Sequence, residues 1–407
     1  MLTPAASSSR RLRIAAIGLR GLPSAYSGLE RSSEGLYAEL ARRGHEITVY
    51  CRPEYVPAPG ATHRGIRLQS APALKRRSLD TLSHVTASTL HALVRGRHDV
   101  IHLHALAPGL LAPLCRLAGV PVVGTVQGLD WQRAKWKGAG SAVLRRAERA
   151  LVRNADEIIV VSRDLQAYFA ETYGRATRWV PNGVEPVAAH SADDAAAHAR
   201  ALADLGLEPG SYVLFAGRLV PEKRVQDLIT AFRAVPGPQR LAIAGEGGYT
   251  DGYVRELHEL AAADPRITFT GFQSGTALEA LFRNAAAYVL PSELEGLPMS
   301  LLECMQYGTP AVVSGIPPHV ELLGDVAGYD LFFPAGDAAA LADRLQRVLS
   351  DPARYAPVAA RAQDHVRRAH SWRAVADATE AVFDDVLSRR AASGGRIAAL
   401  EPARQPR

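Results

Sequence analysis

Short apolar runs alternate along the chain with longer stretches in which apolar residues recur at helical spacing. The clearest apolar runs are four to seven residues long and lie at 12–18, 100–103, 121–126, 158–162, 212–216, 241–244, 285–290 and 312–315. Runs of this length between polar loops are typical of strands buried in a parallel sheet. The pattern therefore predicts an α/β fold of doubly wound parallel sheets covered by helices.

The length of the chain predicts more than one domain, because 407 residues exceed one ordinary hydrophobic core. A segment rich in Ala, His, Asp and Pro follows residue 184 and marks the boundary. We predict a first domain at 11–190, a second at 191–372 and a final helix at 373–390. Residues 1–10 and 391–407 are small or polar and are expected to be disordered.

Two glutamates lie beyond the apolar run 285–290, Glu295 in the following loop and Glu303 on the helix that the loop begins. The unpaired N–H groups at a helix N-terminus favour an anion such as a phosphate. The carboxylate on the helix, Glu303, can accept hydrogen bonds from the two hydroxyls of a ribose, and the loop carboxylate, Glu295, can do the same for a sugar ring. A solvated helix start with acidic residues on its dipole is the alternative.

Arg218 and Lys223 lie five residues apart, where the run 212–216 ends and a helix is predicted to follow. Such a pair can bracket a diphosphate, the arginine by its planar fork and the lysine as a point charge. A pair of exposed surface cations is the alternative.

Two further loops follow predicted strands of the first domain. The loop at 18–30 is rich in glycine, but Gly18 and Gly21 are three residues apart and do not fit a dinucleotide-binding GxGxxG. The loop at 127–136 carries two tryptophans, an aspartate and two cations. Because open α/β sheets bind ligands at the carboxyl ends of their strands, both loops are candidate recognition loops.

The spacing of Glu295 and Glu303, a Glu-x7-Glu pattern, resembles the donor-site signature of retaining glycosyltransferases of family 4, and the resemblance covers roughly 11–390. It implies the GT-B fold, in which two Rossmann-like domains face a central cleft and the terminal helix crosses back onto the first domain. In that fold the second domain binds a nucleoside diphosphate sugar. The implied catalytic residues are Glu295, Arg218 and Lys223, and the implied donor contacts add Gly296, Leu297, Glu303 and Gly28.

The segments 17–23 and 127–136 resemble the rhamnosyltransferase-like N-terminal domain of a subset of this family. The first domain would then bind the acceptor. Many members carry a histidine where this chain has Gln127, whose amide can still hydrogen-bond a sugar hydroxyl. The implied acceptor contacts are Arg20, Gln127, Asp130, Trp131 and Arg133.

The implied reaction moves a hexose, with retention at the anomeric carbon, to a glycan or lipid-linked sugar in the synthesis of cell-surface polysaccharide or glycolipid. The resemblance implies no protein nucleophile, and no Asp-x-Asp motif marks a metal, so no metal or other cofactor is expected. The alternatives are transfer to a soluble natural product, a phosphorylase-like or epimerase enzyme, and a noncatalytic polysaccharide or nucleic-acid binding protein.

The charge is unevenly distributed. Residues 1–190 hold 26 Lys and Arg against 14 Asp and Glu, a net of +12, whereas residues 191–407 hold 21 against 27, a net of −6. A basic acceptor domain predicts a negatively charged partner, and we expect an anionic membrane surface rather than nucleic acid. Three separated cysteines indicate a reducing compartment, so we expect a cytoplasmic protein that associates peripherally with the inner face of the cell membrane.

Overall fold

The computed structural model describes residues 10–23, 27–74, 79–133, 135, 138–185, 187, 191–247 and 251–398. These residues form two α/β units, each built on its own parallel sheet. The predicted α/β class is confirmed.

The sheet of the first unit has the order β3-β4-β2-β1-β5-β6-β7-β8 and is parallel except for the pair β3 and β4. Its strands are β1 (Arg13–Ile17), β2 (Glu46–Cys51), β3 (Thr62–His63), β4 (Ile66–Ser70), β5 (Val100–His104), β6 (Val122–Val126), β7 (Glu157–Val160) and β8 (Arg178–Trp179). The helices are α1 (Gly28–Arg42), α2 (Asp80–Val94), α3 (Ala112–Leu117), α4 (Ala139–Asn154) and α5 (Arg163–Tyr173). The strands β2, β4 and β3 lie on one side of β1, and the strands β5 to β8 lie on the other. The strand order therefore reverses at β1.

The sheet of the second unit is fully parallel, in the order β11-β10-β9-β12-β13-β14. Its strands are β9 (Tyr212–Ala216), β10 (Arg240–Ala244), β11 (Ile267–Gly271), β12 (Ala287–Leu290), β13 (Ala311–Ser314) and β14 (Phe332–Phe333). Its helices are α6 (Ala192–Asp204), α7 (Val225–Ala234), α8 (Asp251–Ala261), α9 (Gly275–Asn284), α10 (Met299–Tyr307), α11 (Pro317–Leu323), α12 (Ala338–Ser350) and α13 (Pro352–Ala369). Here strand order reverses at β9, which carries the Arg218 loop.

The helix boundaries follow local chemistry. Ser27 caps α1 by accepting a hydrogen bond from the Leu29 amide at 3.2 Å, and Ser162 caps α5 through the Leu165 amide at 3.3 Å. Helix α10 ends at Gly308, whose φ of +72° is a left-handed conformation that suits glycine.

The last helix, α14 (Trp372–Ala398), packs against α1 of the first unit. Trp372 fills a space between two glycines, since a Cβ at Gly35 would lie 2.1 Å from its Cε2 and a Cβ at Gly183 would lie 2.6 Å from its Cε3. Arg43 on the first unit pairs with Glu380 on α14 at 2.7 Å. The end of the chain is thereby fastened to the unit in which the chain began.

The final helix differs at both ends from the predicted 373–390, since it begins at Trp372 and ends at Ala398. The final helix continues to Ala398, so residues 391–398, which were expected to be disordered, are helical. Three of these eight residues are alanines, which favour helix, although the segment also has two glycines. The expectations for residues 1–9 and 399–407 concern residues outside the described ones.

Candidate active site

The candidate site lies where the carboxyl ends of the two sheets face each other. On the second unit, the loop after β9 forms a short turn at Pro221–Lys223, and the loop after the neighbouring strand β12 carries Glu295. The Lys223 Nζ donates a hydrogen bond to Oε1 of Glu295, and Ser292 Oγ donates a hydrogen bond to the same oxygen at 2.7 Å. Both bonds end on Oε1, so Oε2 is the atom of Glu295 left for a ligand.

The ion pair of Lys223 and Glu295 is largely buried, with 12% and 11% of the two side chains exposed. Burial alone would raise the pKa of Glu295, but Lys223, His319 and the bond from Ser292 outweigh it and lower that pKa. Glu295 is therefore a carboxylate at neutral pH and acts as an acceptor of hydrogen bonds.

Arg218 faces the open cleft, and its guanidinium makes no hydrogen bond or ion pair with any described residue. Burial and, next in size, the guanidinium of Arg133 lower the pKa of Arg218, and Arg20 acts in the same direction, whereas the carboxylates of Glu222 and Glu295 act against them. Arg133 and Arg20 belong to the first unit. Three guanidiniums from both units therefore converge on one volume, as a site for an anion requires.

On the first unit, the loop after β1 carries Arg20, whose backbone amide donates to Oε1 of the buried Glu30 at 3.0 Å. This carboxylate in the first turn of α1 holds the glycine-rich loop against the helix start. Gly28 opens the same helix, and a Cβ there would lie 3.3 Å from Cγ of Met299 on α10. Helices α1 and α10 thus meet across the cleft at their N-terminal ends.

Gly296 and Leu297 lie where the backbones of the two units come close together. A Cβ at Gly296 would lie 1.8 Å from the carbonyl oxygen of Gln127, so only glycine allows this approach. The Leu297 carbonyl accepts a hydrogen bond from Asn182 at 3.1 Å, and the side-chain amides of Asn182 and Gln127 bond each other reciprocally at 3.0 Å. Gln127, predicted to contact the acceptor, is thus engaged in joining the units.

Trp131 and Asp130 are also held within the first unit. The Trp131 indole N–H donates to the buried Glu148 at 2.7 Å, and Arg145 stacks on the ring at 3.9 Å. Asp130 lies 3.4 Å from the Arg133 guanidinium. Trp131 therefore offers a ligand only its half-buried ring, while its polar atom fixes the loop.

Glu303 lies one turn into α10 and pairs with Arg31 of α1 at 2.9 Å. Its side chain is 12% exposed, and burial raises the pKa of Glu303 while Arg31 acts against that rise. The carboxylate assigned to the ribose thus has a cation from the opposite unit beside it.

Sequence reasoning missed several residues of this arrangement. Asn182 stands in a Pro-Asn-Gly turn at the end of a predicted strand, a signal of a strand-end loop that could have been used. Arg31, Ser292 and His319 carry no comparable signal, because their roles depend on elements far apart in the chain. Among the described residues, no group of three or more His, Cys, Asp or Glu could hold a metal ion.

Two family models match the chain, one in each of the two units. Residues 203–365 match the family described as "Glycosyl transferases group 1", and residues 27–183 match the "Glycosyl transferase 4-like domain". A glycogen synthase of Mycobacterium tuberculosis is 30% identical over an alignment that covers 91% of this chain and 94% of the relative. The chain belongs to the GT-B glycosyltransferases. Its predicted activity as a nucleotide-sugar-dependent glycosyltransferase is confirmed.

The chain is also similar to a second relative and to a solved structure. A GDP-mannose-dependent alpha-(1-6)-phosphatidylinositol monomannoside mannosyltransferase of Mycolicibacterium smegmatis is 29% identical, over 82% of this chain and 88% of that protein. The solved structure of a sucrose-phosphate synthase from Thermosynechococcus elongatus superposes with a TM-score of 0.79 at 22% identity, over 93% of this chain and 100% of the other. The predicted GT-B fold is confirmed.

Proposed function

We propose that this glycosyltransferase moves a hexose from a nucleoside diphosphate sugar to a glycan or lipid-linked sugar, with retention at the anomeric carbon. The main support for a nucleoside diphosphate sugar as donor is that Arg218, Lys223 and Glu295 lie together at the ends of two adjacent strands. The diphosphate lies beside the guanidinium of Arg218 and the ammonium of Lys223, and Glu295 Oε2 accepts from a hydroxyl of the sugar.

The proposed chemistry follows from these charges. Breaking the bond between the sugar and the diphosphate leaves negative charge on the phosphate, which Arg218 and Lys223 stabilise without reorganising. Glu295 is held by two bonds on Oε1 and serves to position the sugar rather than to attack it. The acceptor reacts on the same face as the leaving diphosphate, whose oxygen takes the acceptor's proton, so the reaction proceeds without a protein nucleophile and without a metal.

The acceptor domain offers support for a lipid-linked acceptor. Exposed large apolar side chains of the first unit lie on or next to α2, α3 and α4: Leu74, Leu79, Leu90, Val94, Leu117 and Val143. The exposed face of α4 also carries Arg145, Arg146, Arg149 and Arg153. Apolar side chains among cations are what an anionic bilayer binds. Of the predicted basic residues, 75–77 and 137 lie outside the described ones.

The relatives favour different acceptors by name, one a glycogen synthase and one a mannosyltransferase acting on a phosphatidylinositol monomannoside. Transfer to a soluble glycan is therefore the second candidate. Placement in the subset with the rhamnosyltransferase-like N-terminal domain stays a prediction. No described helix is long and apolar enough to cross a membrane.

The donor is tested by thermal shift with UDP, GDP, TDP and ADP, followed by nucleotide release from the matching sugar donors. A nucleotide at one hundred times its Kd raises the free energy of unfolding by about 2.7 kcal/mol. The anomeric configuration of the first product, read by NMR, tests retention. Inversion, or no nucleotide release from any donor, would contradict the proposed reaction.

Binding of the protein to a membrane surface is tested by sedimentation with anionic and neutral vesicles at low and high salt. We expect salt-sensitive binding to anionic vesicles alone, lost when Arg146, Arg149 and Arg153 are changed together to glutamate. Arg145 is left in place because it stacks on Trp131. The matched control makes the same charge change on the second unit, at the exposed residues Arg200, Arg233 and Arg255. Equal losses in both triple variants would favour the soluble acceptor.

A further inference from the structure

A fully buried histidine lies beside the candidate donor site and has no role in the proposed chemistry so far. His319 is on α11, which begins three residues after β13 ends. In the sheet, β13 neighbours β12, and β12 neighbours β9, the strands that lead to Glu295 and Lys223. The three side chains thus come from three adjacent strand ends, the edge at which parallel sheets bind ligands.

The hydrogen bonds of the ring define which nitrogen carries the proton. Nδ1 of His319 is 2.8 Å from the carbonyl oxygen of Ser314, which can only accept. Nδ1 therefore donates, and the neutral ring keeps a lone pair on Nε2. Ser314 Oγ in turn donates to the carbonyl oxygen of Ser292, whose own hydroxyl holds Glu295. The ring is thus linked through two serines to the loop that positions the sugar-binding carboxylate.

The Nε2 atom is buried and has no hydrogen-bond partner among the described residues. Burial lowers the pKa of His319 to about 4, and Glu295 and Lys223 both lie close enough to act on the charge of the ring. The ring is therefore neutral at pH 7, and Nε2 is an acceptor without a donor. A buried acceptor left unsatisfied costs free energy, which a ligand hydroxyl placed there would recover.

We propose that Nε2 of His319 accepts a hydrogen bond from a hydroxyl of the transferred sugar and so helps to select the donor. This inference rests on the proposed function, because it assigns one more contact in the same donor site. Glu295 Oε2 and His319 Nε2 then bind two different hydroxyls of one ring, and together they fix its orientation above the diphosphate. A site that hydrogen-bonds a hydroxyl discriminates strongly against an analogue that lacks it.

One substitution separates this role from simple packing. In His319→Asn, the side-chain NH2 group can still donate to the Ser314 carbonyl as Nδ1 does, whereas the acceptor at the position of Nε2 is removed. His319→Gln is the complementary variant, because its amide can reach the Nε2 position. His198→Asn is the matched control: His198 is also buried in the same unit, but it lies on α6, which packs against α9.

The experiment measures kcat/KM for the wild-type enzyme and each variant with the productive sugar donor and its monodeoxy analogues. We expect one analogue to lower the wild-type value at least about tenfold. In His319→Asn, the same analogue and the parent donor should differ less than about twofold. His319→Gln should recover part of the discrimination, and His198→Asn should retain all of it. Affinity for the free nucleoside diphosphate, which has no sugar, should be unchanged in His319→Asn.

Persistence of the full deoxy-sugar penalty in His319→Asn would overturn the inference while leaving the proposed function intact. The same holds if His319→Asn weakens the free nucleoside diphosphate as much as the sugar donor, since the histidine would then only support the fold. Absence of turnover with any donor in the wild-type protein would instead contradict the proposed function, and this inference with it.

Discussion

Removing Lys223 should destabilise the second unit even in the absence of any ligand. In Lys223→Met, Glu295 would keep its buried position but lose its cation. Removing one partner of a buried ion pair costs about 3–5 kcal/mol, because the remaining charge is uncompensated. With 11% of Glu295 exposed to the cleft, we expect the low end, about 3 kcal/mol. For a unit of this size that corresponds to a fall in melting temperature of about 6–12 °C.

The difference in stability between the wild type and Lys223→Met should also depend on pH, in a direction that the pKa of Glu295 fixes. In the wild type the pKa of Glu295 is lowered below its ordinary value of 4.5, so its contribution to stability is present above that pH. That contribution is lost as the pH falls through the lowered folded-state pKa. In Lys223→Met, burial without the cation should raise the pKa of Glu295, and protonation then relieves the buried charge. The difference in stability between the two proteins should therefore shrink as the pH is lowered from 7 to 5.

Differential scanning calorimetry at several pH values makes the measurement, since it separates the transitions of two units. The double variant Lys223→Met, Glu295→Gln should recover most of the lost stability, because it removes both charges. Arg224→Met is the matched control, as that cation is 31% exposed and pairs with Asp227. A double variant as unstable as Lys223→Met, or equal losses in Lys223→Met and Arg224→Met, would refute the reasoning.

Four further substitutions test the assigned roles. Glu303→Ala should weaken nucleotide binding and Glu295→Ala should mainly lower kcat, so equal losses of nucleotide affinity by calorimetry would contradict that division. Arg218→Ala should lower kcat/KM by about 10² or more, and a change below threefold would make the arginine a surface residue. Gly296→Ala, whose Cβ would lie 1.8 Å from the Gln127 carbonyl oxygen, should separate the units and abolish turnover. An unchanged radius of gyration with full activity would refute it.

The fold was largely predictable because its signals are local. Runs such as 212–216 and 285–290 are apolar throughout, and each buried strand is followed by a polar loop that ends in a helix start. The short edge strand Thr62–His63 was not predicted in this way, since two residues carry no periodicity. The helical end of the chain was missed because alanines with glycines are compatible with a tail as well as with a helix.

The site was predictable only where neighbours in the sequence are also neighbours in space. Arg218 and Lys223 share one loop, and Glu295 opens the next one along the sheet. The pairing of Arg31 with Glu303 joins residues 272 positions apart and depends on how the two units meet. Gln127 and Asn182 belong to the same unit but lie 55 positions apart, so no local pattern could show that their side chains bond each other.

The convergence of Arg20, Arg133 and Arg218 links binding to the approach of the two units. Like charges brought together repel, which is why the pKa of Arg218 is lowered and not raised by its neighbours from the first unit. A diphosphate bound between them, as the proposed function requires, would replace that repulsion by attraction and would gain most when the units are closest. The contact at Gly296 between the units is made by the same loop that carries Glu295. We therefore expect a bound diphosphate to favour the approach of the units and this contact together, and a ligand that lacks the diphosphate to favour neither.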